Sequence, residues 1–215
     1  MKKGKRISDA VIRRLPKYYR YLGDLVSTDI NRISSSELSK LTGFTASQIR
    51  QDLNNFGGFG QQGYGYDTKR LQIEIGKILG LNKKYRAIIV GAGNIGQAIA
   101  NYARFYEEGF EVLALFDKNP KLIGLKIRDI EIKDIDDLAG FITNNEIQFG
   151  VICTPKETSQ DMADILIENG IKAIWNFAPL DIKVPEGISI EDVRLNESLY
   201  TLIYYYSRNI EEMEE

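Results

Sequence analysis

The 215-residue chain contains no histidine, a single cysteine (Cys153), one tryptophan and five prolines. Without histidine, imidazole acid–base catalysis and the usual zinc ligand sets are excluded, so no metal is expected. One cysteine rules out an intramolecular disulfide and suits a reducing compartment, so a cytoplasmic location is expected. Cys153 closes an apolar run with no feature that would lower a thiol pKa, and it reads as a core residue. No apolar run approaches the ~20 residues that span a bilayer. No apolar signal core follows the basic residues 1–6. The tyrosine–lysine pair of short-chain dehydrogenases, Tyr-x-x-x-Lys, is also missing.

What is present is unevenly distributed. Residues 1–86 hold 17 lysines and arginines against 7 acids, a net +10. Residues 87–215 hold 11 against 23, a net −12. A basic module joined to an acidic one points to a polyanionic partner for the first part alone, nucleic acid before a membrane surface.

The first part reads as a winged helix-turn-helix domain over residues 1–80. An apolar stripe (Ile7, Val11, Leu15, Tyr18, Leu22, Leu25) predicts a helix over 7–27 that Pro16 kinks or divides at Leu15. Arg14 and Lys17 lie off that stripe, placed for phosphates. Ser34-Ser35-Ser36-Glu37 and Thr45-Ala46-Ser47-Gln48 have capping-box spacing and open two short helices separated by Gly43. The second helix buries Ala46, Ile49, Leu53 and Phe56 and exposes Ser47, Gln48, Arg50, Gln51 and Asn54. Arginine and glutamine read guanine and adenine edges in a major groove. Five glycines interleaved with four aromatics over residues 56–66 suit a β-hairpin wing, with Gln61 and Gln62 at its tip. A helix over 68–80 and a basic linker over 81–86 follow.

From Ala87 the pattern changes. Ala87-Ile88-Ile89-Val90 runs into Gly91-Ala92-Gly93-Asn94-Ile95-Gly96, the G-x-G-x-x-G of a dinucleotide-binding turn. Gly91 allows the turn, Gly93 leaves room for a pyrophosphate, and Gly96 brings the helix close to the sheet. A second strand ends at Asp117, 21 residues after Gly96, where an acid receives the ribose hydroxyls and favours NAD(H) over NADP(H). A strand or hairpin is expected in 125–132, a helix over 136–145, and strands over 149–153, 171–175 and 188–193. Thr154-Pro155-Lys156-Glu157 reads as a further capping box, opening a helix over 158–169 beside the cofactor cleft. Asn176 and Phe177 fall at the nicotinamide edge. A helix over 196–208 closes a Rossmann domain, a doubly wound parallel sheet, over 87–215.

The dinucleotide fold uses nearly all of those residues and leaves no second domain for a substrate, so binding without turnover is favoured. A small NAD-dependent oxidoreductase with a basic appendage, and a constitutive DNA-binding protein with a dimerising Rossmann domain, are the alternatives.

The segments Arg14-Leu15-Pro16-Lys17-Tyr18-Tyr19-Arg20, Ile49-Arg50-Gln51-Asp52-Leu53, Phe56-Gly57-Gly58-Phe59-Gly60 and Trp175-Asn176-Phe177-Ala178-Pro179, in this order around the glycine fingerprint, resemble the Rex redox-sensing transcriptional repressors of clostridial type. The resemblance implies a homodimer that exchanges its C-terminal helix, binds palindromic double-stranded operator DNA with NAD⁺, and releases it with NADH. It implies base or phosphate contacts for Arg50 and Gln51 and a minor-groove contact for Gln62. Arg20 and Tyr102 match positions that link the domains near the nicotinamide. Some members complete that link with an aspartate where this chain carries Arg194.

Overall fold

A computed structural model describes residues 7–61 and 64–214. Gln62, expected at the wing tip, lies outside the described residues. The chain divides between Lys83 and Lys84 into two compact units.

The first unit opens with α1 (Asp9–Ile12) and α2 (Leu15–Ser27) rather than one helix. The break falls at Arg13–Arg14, so Pro16 sits in the first turn of α2, where its missing N–H leaves no bond unmade. Next come β1 (Arg32–Ile33), α3 (Ser35–Thr42) and α4 (Ala46–Asn54). Ser34 makes the full capping box: its Oγ accepts the Glu37 amide (3.1 Å), and Glu37 Oε2 accepts the Ser34 amide (2.7 Å). Thr45 caps α4 by accepting the Gln48 amide at 3.1 Å. Gly43 (φ 75°) ends α3 in the left-handed conformation that glycine adopts without strain. The hairpin β2 (Gly60–Gln61) and β3 (Gly65–Asp67) adds to β1 in the order β1-β3-β2, and α5 (Thr68–Ile78) closes the unit. Leu15, Tyr18, Leu22, Leu38, Ile49, Leu53, Leu71 and Ile75 form one core, so every helix after α1 is fixed by its apolar face.

The second unit begins with β4 (Tyr85–Val90). The expected linker is therefore shorter than 81–86, because Tyr85 and Arg86 already pair with Phe110 and Glu111. Then follow α6 (Asn94–Asn101), α7 (Ala103–Glu107), β5 (Phe110–Asp117), β6 (Lys126–Ile127), β7 (Ile130–Asp134), α8 (Leu138–Asn145), β8 (Phe149–Ile152), α9 (Lys156–Glu168), β9 (Ala173–Asn176), β10 (Ser189–Asp192) and α10 (Leu195–Glu214). The sheet order is β10-β9-β8-β4-β5-β7-β6, parallel except for the β6 edge hairpin. Leaving β6 aside, this is the doubly wound order 3-2-1-4-5-6. Successive residues of β4 bury to opposite faces: Ile88 and Val90 pack under α8 and α9, and Ile89 packs with Ile99 of α6. That two-sided burial explains the unbroken apolar run in the sequence.

The capping box expected at Thr154 is corrected. Pro155 (ψ 157°) is the cap of α9, no described side chain caps the amides of the first turn, and the helix begins at Lys156. The closing helix also runs past residue 208, to Glu214. All its described side chains are exposed, including Leu199, Tyr200, Leu202, Ile203 and Tyr206.

Candidate dinucleotide cleft and nucleic-acid interface

In the first unit, α4 buries Ile49 and Leu53 and leaves Ser47, Arg50, Gln51 and Asn54 exposed, with Gln48 half-buried. Arg50 Nη1 donates to Ser35 Oγ at 2.8 Å, which holds the guanidinium at the junction of the two helices. A groove of about 510 Å³ runs between α4 and the hairpin, lined by Ser35, Arg50, Asn54, Gly58 and Tyr66 among others. Lys17 Nζ lies 5.1 Å from the centre of the Phe44 ring, half-buried, and Arg20 stacks over Tyr21 at 4.8 Å.

Arg14 has a different task from the phosphate contact expected of it. Its Nε and Nη2 donate to Asp52 at 2.6 and 2.8 Å, and the Tyr18 hydroxyl donates to the same carboxylate at 2.8 Å. Asp52 is 2% exposed and Tyr18 fully buried. Burial, then the hydrogen bond to Asp52, holds the Tyr18 phenol well above the usual tyrosine range. This network locks α4 to α2. Sequence reasoning missed it because Asp52 lies 38 residues from Arg14 on a helix face that otherwise reads as polar.

In the second unit β4 pairs with β5 on one side and β8 on the other. The strand order therefore reverses at the carboxyl end of β4, where open α/β sheets bind ligands. The glycine turn lies there. Gly91 has φ 99°, and a Cβ on it would lie 2.7 Å from the Cys153 carbonyl group, while a Cβ on Gly96 would overlap the Gly91 carbonyl oxygen. Gly93 differs: a Cβ there would meet nothing within 4 Å. Its small size serves no packing purpose within the chain. Among the described residues no side chain caps α6, so the amides of its first turn face that space.

Ala92 donates its amide to Asp117 Oδ2 at 2.7 Å and Asn119 its amide to Oδ1 at 2.9 Å, which places the carboxylate beside the turn. Each oxygen keeps a lone pair for a further donor. Thr154, next to the Gly91 turn, has a buried hydroxyl oxygen with no hydrogen-bond partner among the described residues. Buried polar atoms are normally paired, so an orphan here fits a contact to a ligand. Phe177 donates its amide to the Ile152 carbonyl at 2.8 Å. It lines a groove of about 580 Å³ with Ile95, Lys156, Pro179, Arg194 and Tyr200. Open space at Gly93, free helix amides, a positioned acid and an orphan hydroxyl fit a dinucleotide.

Gly91–Gly96, Asp117, Thr154, Pro155 and Phe177 thus come together. Asn176, expected to face the cofactor, does not: it is fully buried, donates to Leu180 O (2.8 Å) and Asp192 Oδ1 (2.6 Å), and accepts from the Ala178 amide. Its polarity is used inside the protein. Tyr102 lines a separate groove with Phe105 and Tyr106, its ring 4.6 Å from Phe105. Burial pushes the Cys153 thiol up to about 12. Among the described residues no acid, cysteine and histidine cluster could hold a metal, and no helix is long and apolar enough to cross a membrane.

A helix-turn-helix with a hairpin wing, on the same chain as a glycine-turn dinucleotide fold, points to the class of DNA-binding regulators. Family models agree with both halves: a putative DNA-binding protein N-terminus matches residues 6–54, and a CoA binding domain matches residues 82–180. The redox-sensing transcriptional repressor Rex of Clostridioides difficile (strain 630) is 64% identical over 200 residues, covering 93% of this chain and 95% of the relative. The crystal structure of RSP in complex with β-NAD⁺ and operator DNA matches with a TM-score of 0.90 at 54% identity, over 98% of this chain and 97% of that one. RSP in complex with β-NADH matches at 0.91 and 51%, over 98% and 99%. The chain belongs to the Rex family of redox-sensing transcriptional repressors.

Proposed function

We propose that the chain is a homodimeric, cytoplasmic repressor that binds palindromic operator DNA and releases it as NADH rises against NAD⁺. The observation that carries this reading is one chain joining an exposed Arg50–Gln51–Asn54 helix face to a cleft with open space at Gly93 and an orphaned Thr154 hydroxyl. The unit that ends at Lys83 is the DNA-reading module and the unit that begins at Lys84 the cofactor and dimerisation module. Arg50, Gln51, Ser47, Gln48 and Asn54 face the major groove and Lys17 a phosphate.

The amides at the start of α6 bind the pyrophosphate, Asp117 the adenosine ribose, and Phe177 lies against the nicotinamide end. The bound nicotinamide supplies the redox signal as a ring that is cationic when oxidised and neutral when reduced. No residue has to transfer a proton or hydride. A cofactor shifts operator affinity only to the extent that its two forms favour different arrangements of the protein. The apolar side chains along α10 support a second copy as partner, since a solvated helix with so many is costly to leave uncovered. A two-fold dimer accounts for a palindromic site.

Fluorescence anisotropy of a labelled palindromic operator, at fixed salt and constant NAD⁺, tests the reading. Binding should fall as NADH is added, and binding indifferent to NADH would leave a plain DNA-binding protein. Arg50→Ala should cost about 1–3 kcal/mol of specific DNA binding and leave NADH binding intact. Parallel loss of both would mean that Arg50 acts through the fold.

A further inference from the structure

The loop after β9 has no regular hydrogen-bond ladder, yet Phe177 and Pro179 within it wall the groove at the end of the cleft. Something else must order it. Arg194 Nη1 donates to the Ala178 carbonyl (2.7 Å), and Nη2 donates to the Leu180 carbonyl (2.8 Å), Asp181 Oδ1 (2.8 Å) and Asp192 Oδ1 (2.9 Å). Asp192 Oδ1 also accepts from Asn176, which itself binds Leu180 and Ala178. The Asp181 side chain is 96% exposed, so that ion pair adds little. The two carbonyls and Asp192 carry the hold, and the Arg194 side chain is only 18% exposed. Arg194 stands between the end of β10 and Leu195, the first residue of α10.

We infer that Arg194 is a positioning residue for the nicotinamide end of the cleft. Its guanidinium fixes the 176–181 loop to the base of α10, so Phe177 and the start of that helix move as one piece. A planar fork bonded to two carbonyls and a carboxylate has no equivalent in lysine. The inference rests on the cofactor reading above and goes beyond it by assigning one end of the ligand to one side chain.

The test compares NADH with ADP-ribose, which shares the adenosine and pyrophosphate but lacks the ring, by calorimetry on the full chain. Arg194→Met should weaken NADH about tenfold and change ADP-ribose by less than about twofold, as expected for lost charge-assisted hydrogen bonds at one end only. Equal weakening of both ligands, or of neither, overturns the inference. If the methionine variant does not fold, Arg194→Lys carries the test, with about threefold weakening of NADH alone expected from an ammonium that reaches fewer acceptors. A wild-type chain that binds neither ligand overturns the cofactor reading itself, an outcome distinct from failure of the variants.

Discussion

A chain carrying Gly93→Val should keep its fold and its operator affinity but ignore NADH. Gly93 has φ −73° and ψ −171°, extended backbone that valine adopts readily, and an added Cβ meets no protein atom within 4 Å. The new side chain would instead fill the space over the start of α6, the proposed pyrophosphate site. Losing two charge-assisted amide contacts costs about 3 kcal/mol or more, about a hundredfold in affinity. NADH fluorescence titration measures the loss, and thermal unfolding checks that the fold survives. Gly96→Ala is the control, because its Cβ overlaps the Gly91 carbonyl oxygen and should destabilise the unit itself. A valine variant that still binds NADH at wild-type strength would place the cofactor elsewhere.

Asp52→Ala should strongly destabilise the first unit. The aspartate accepts three hydrogen bonds, from Arg14 twice and from Tyr18. Its removal leaves a fully buried phenol and a guanidinium, whose side chain is 17% exposed, without their acceptor. Breaking a buried pair in this way costs about 3–5 kcal/mol. Replacing all three residues by apolar ones of similar shape should recover much of that, since no polar group is then stranded. Urea unfolding of the full chain, followed by circular dichroism, reads both variants. A loss below about 1 kcal/mol would mean the network behaves as a screened surface pair.

What was legible in the sequence was local. The apolar run of β4, the glycine turn, the Ser34 capping box and the exposed face of α4 each lie within a dozen residues, and backbone geometry ties such spacing to one structure. The Rossmann domain and the winged helix follow from those signals and from the order of motifs. Contacts between distant residues were not legible. Arg14 lies off the apolar stripe, as periodicity requires, yet the break at Arg13–Arg14 lets it meet Asp52. The Thr154 pattern has capping-box spacing, but the extended Pro155 starts α9 too late for the hydroxyl to serve it. Asn176 falls at the nicotinamide edge by its place at the end of a strand, while its side chain turns into the protein to bind Leu180, Asp192 and Ala178. Arg194 carried a signal only as a departure from the family, and its four acceptors are set by tertiary structure.

Cys153 decides what kind of instrument this protein is. Burial pushes its thiol up to about 12, which keeps it protonated, and the thiolate is the form that attacks a peroxide. A sensor built on such sulfur chemistry works like a fuse: it trips by covalent damage and needs a reductant to reset. A chain whose one thiol is silent, and whose signal arrives as an exchangeable ligand, works like a gauge. Such a gauge follows the ratio of two dinucleotides in either direction.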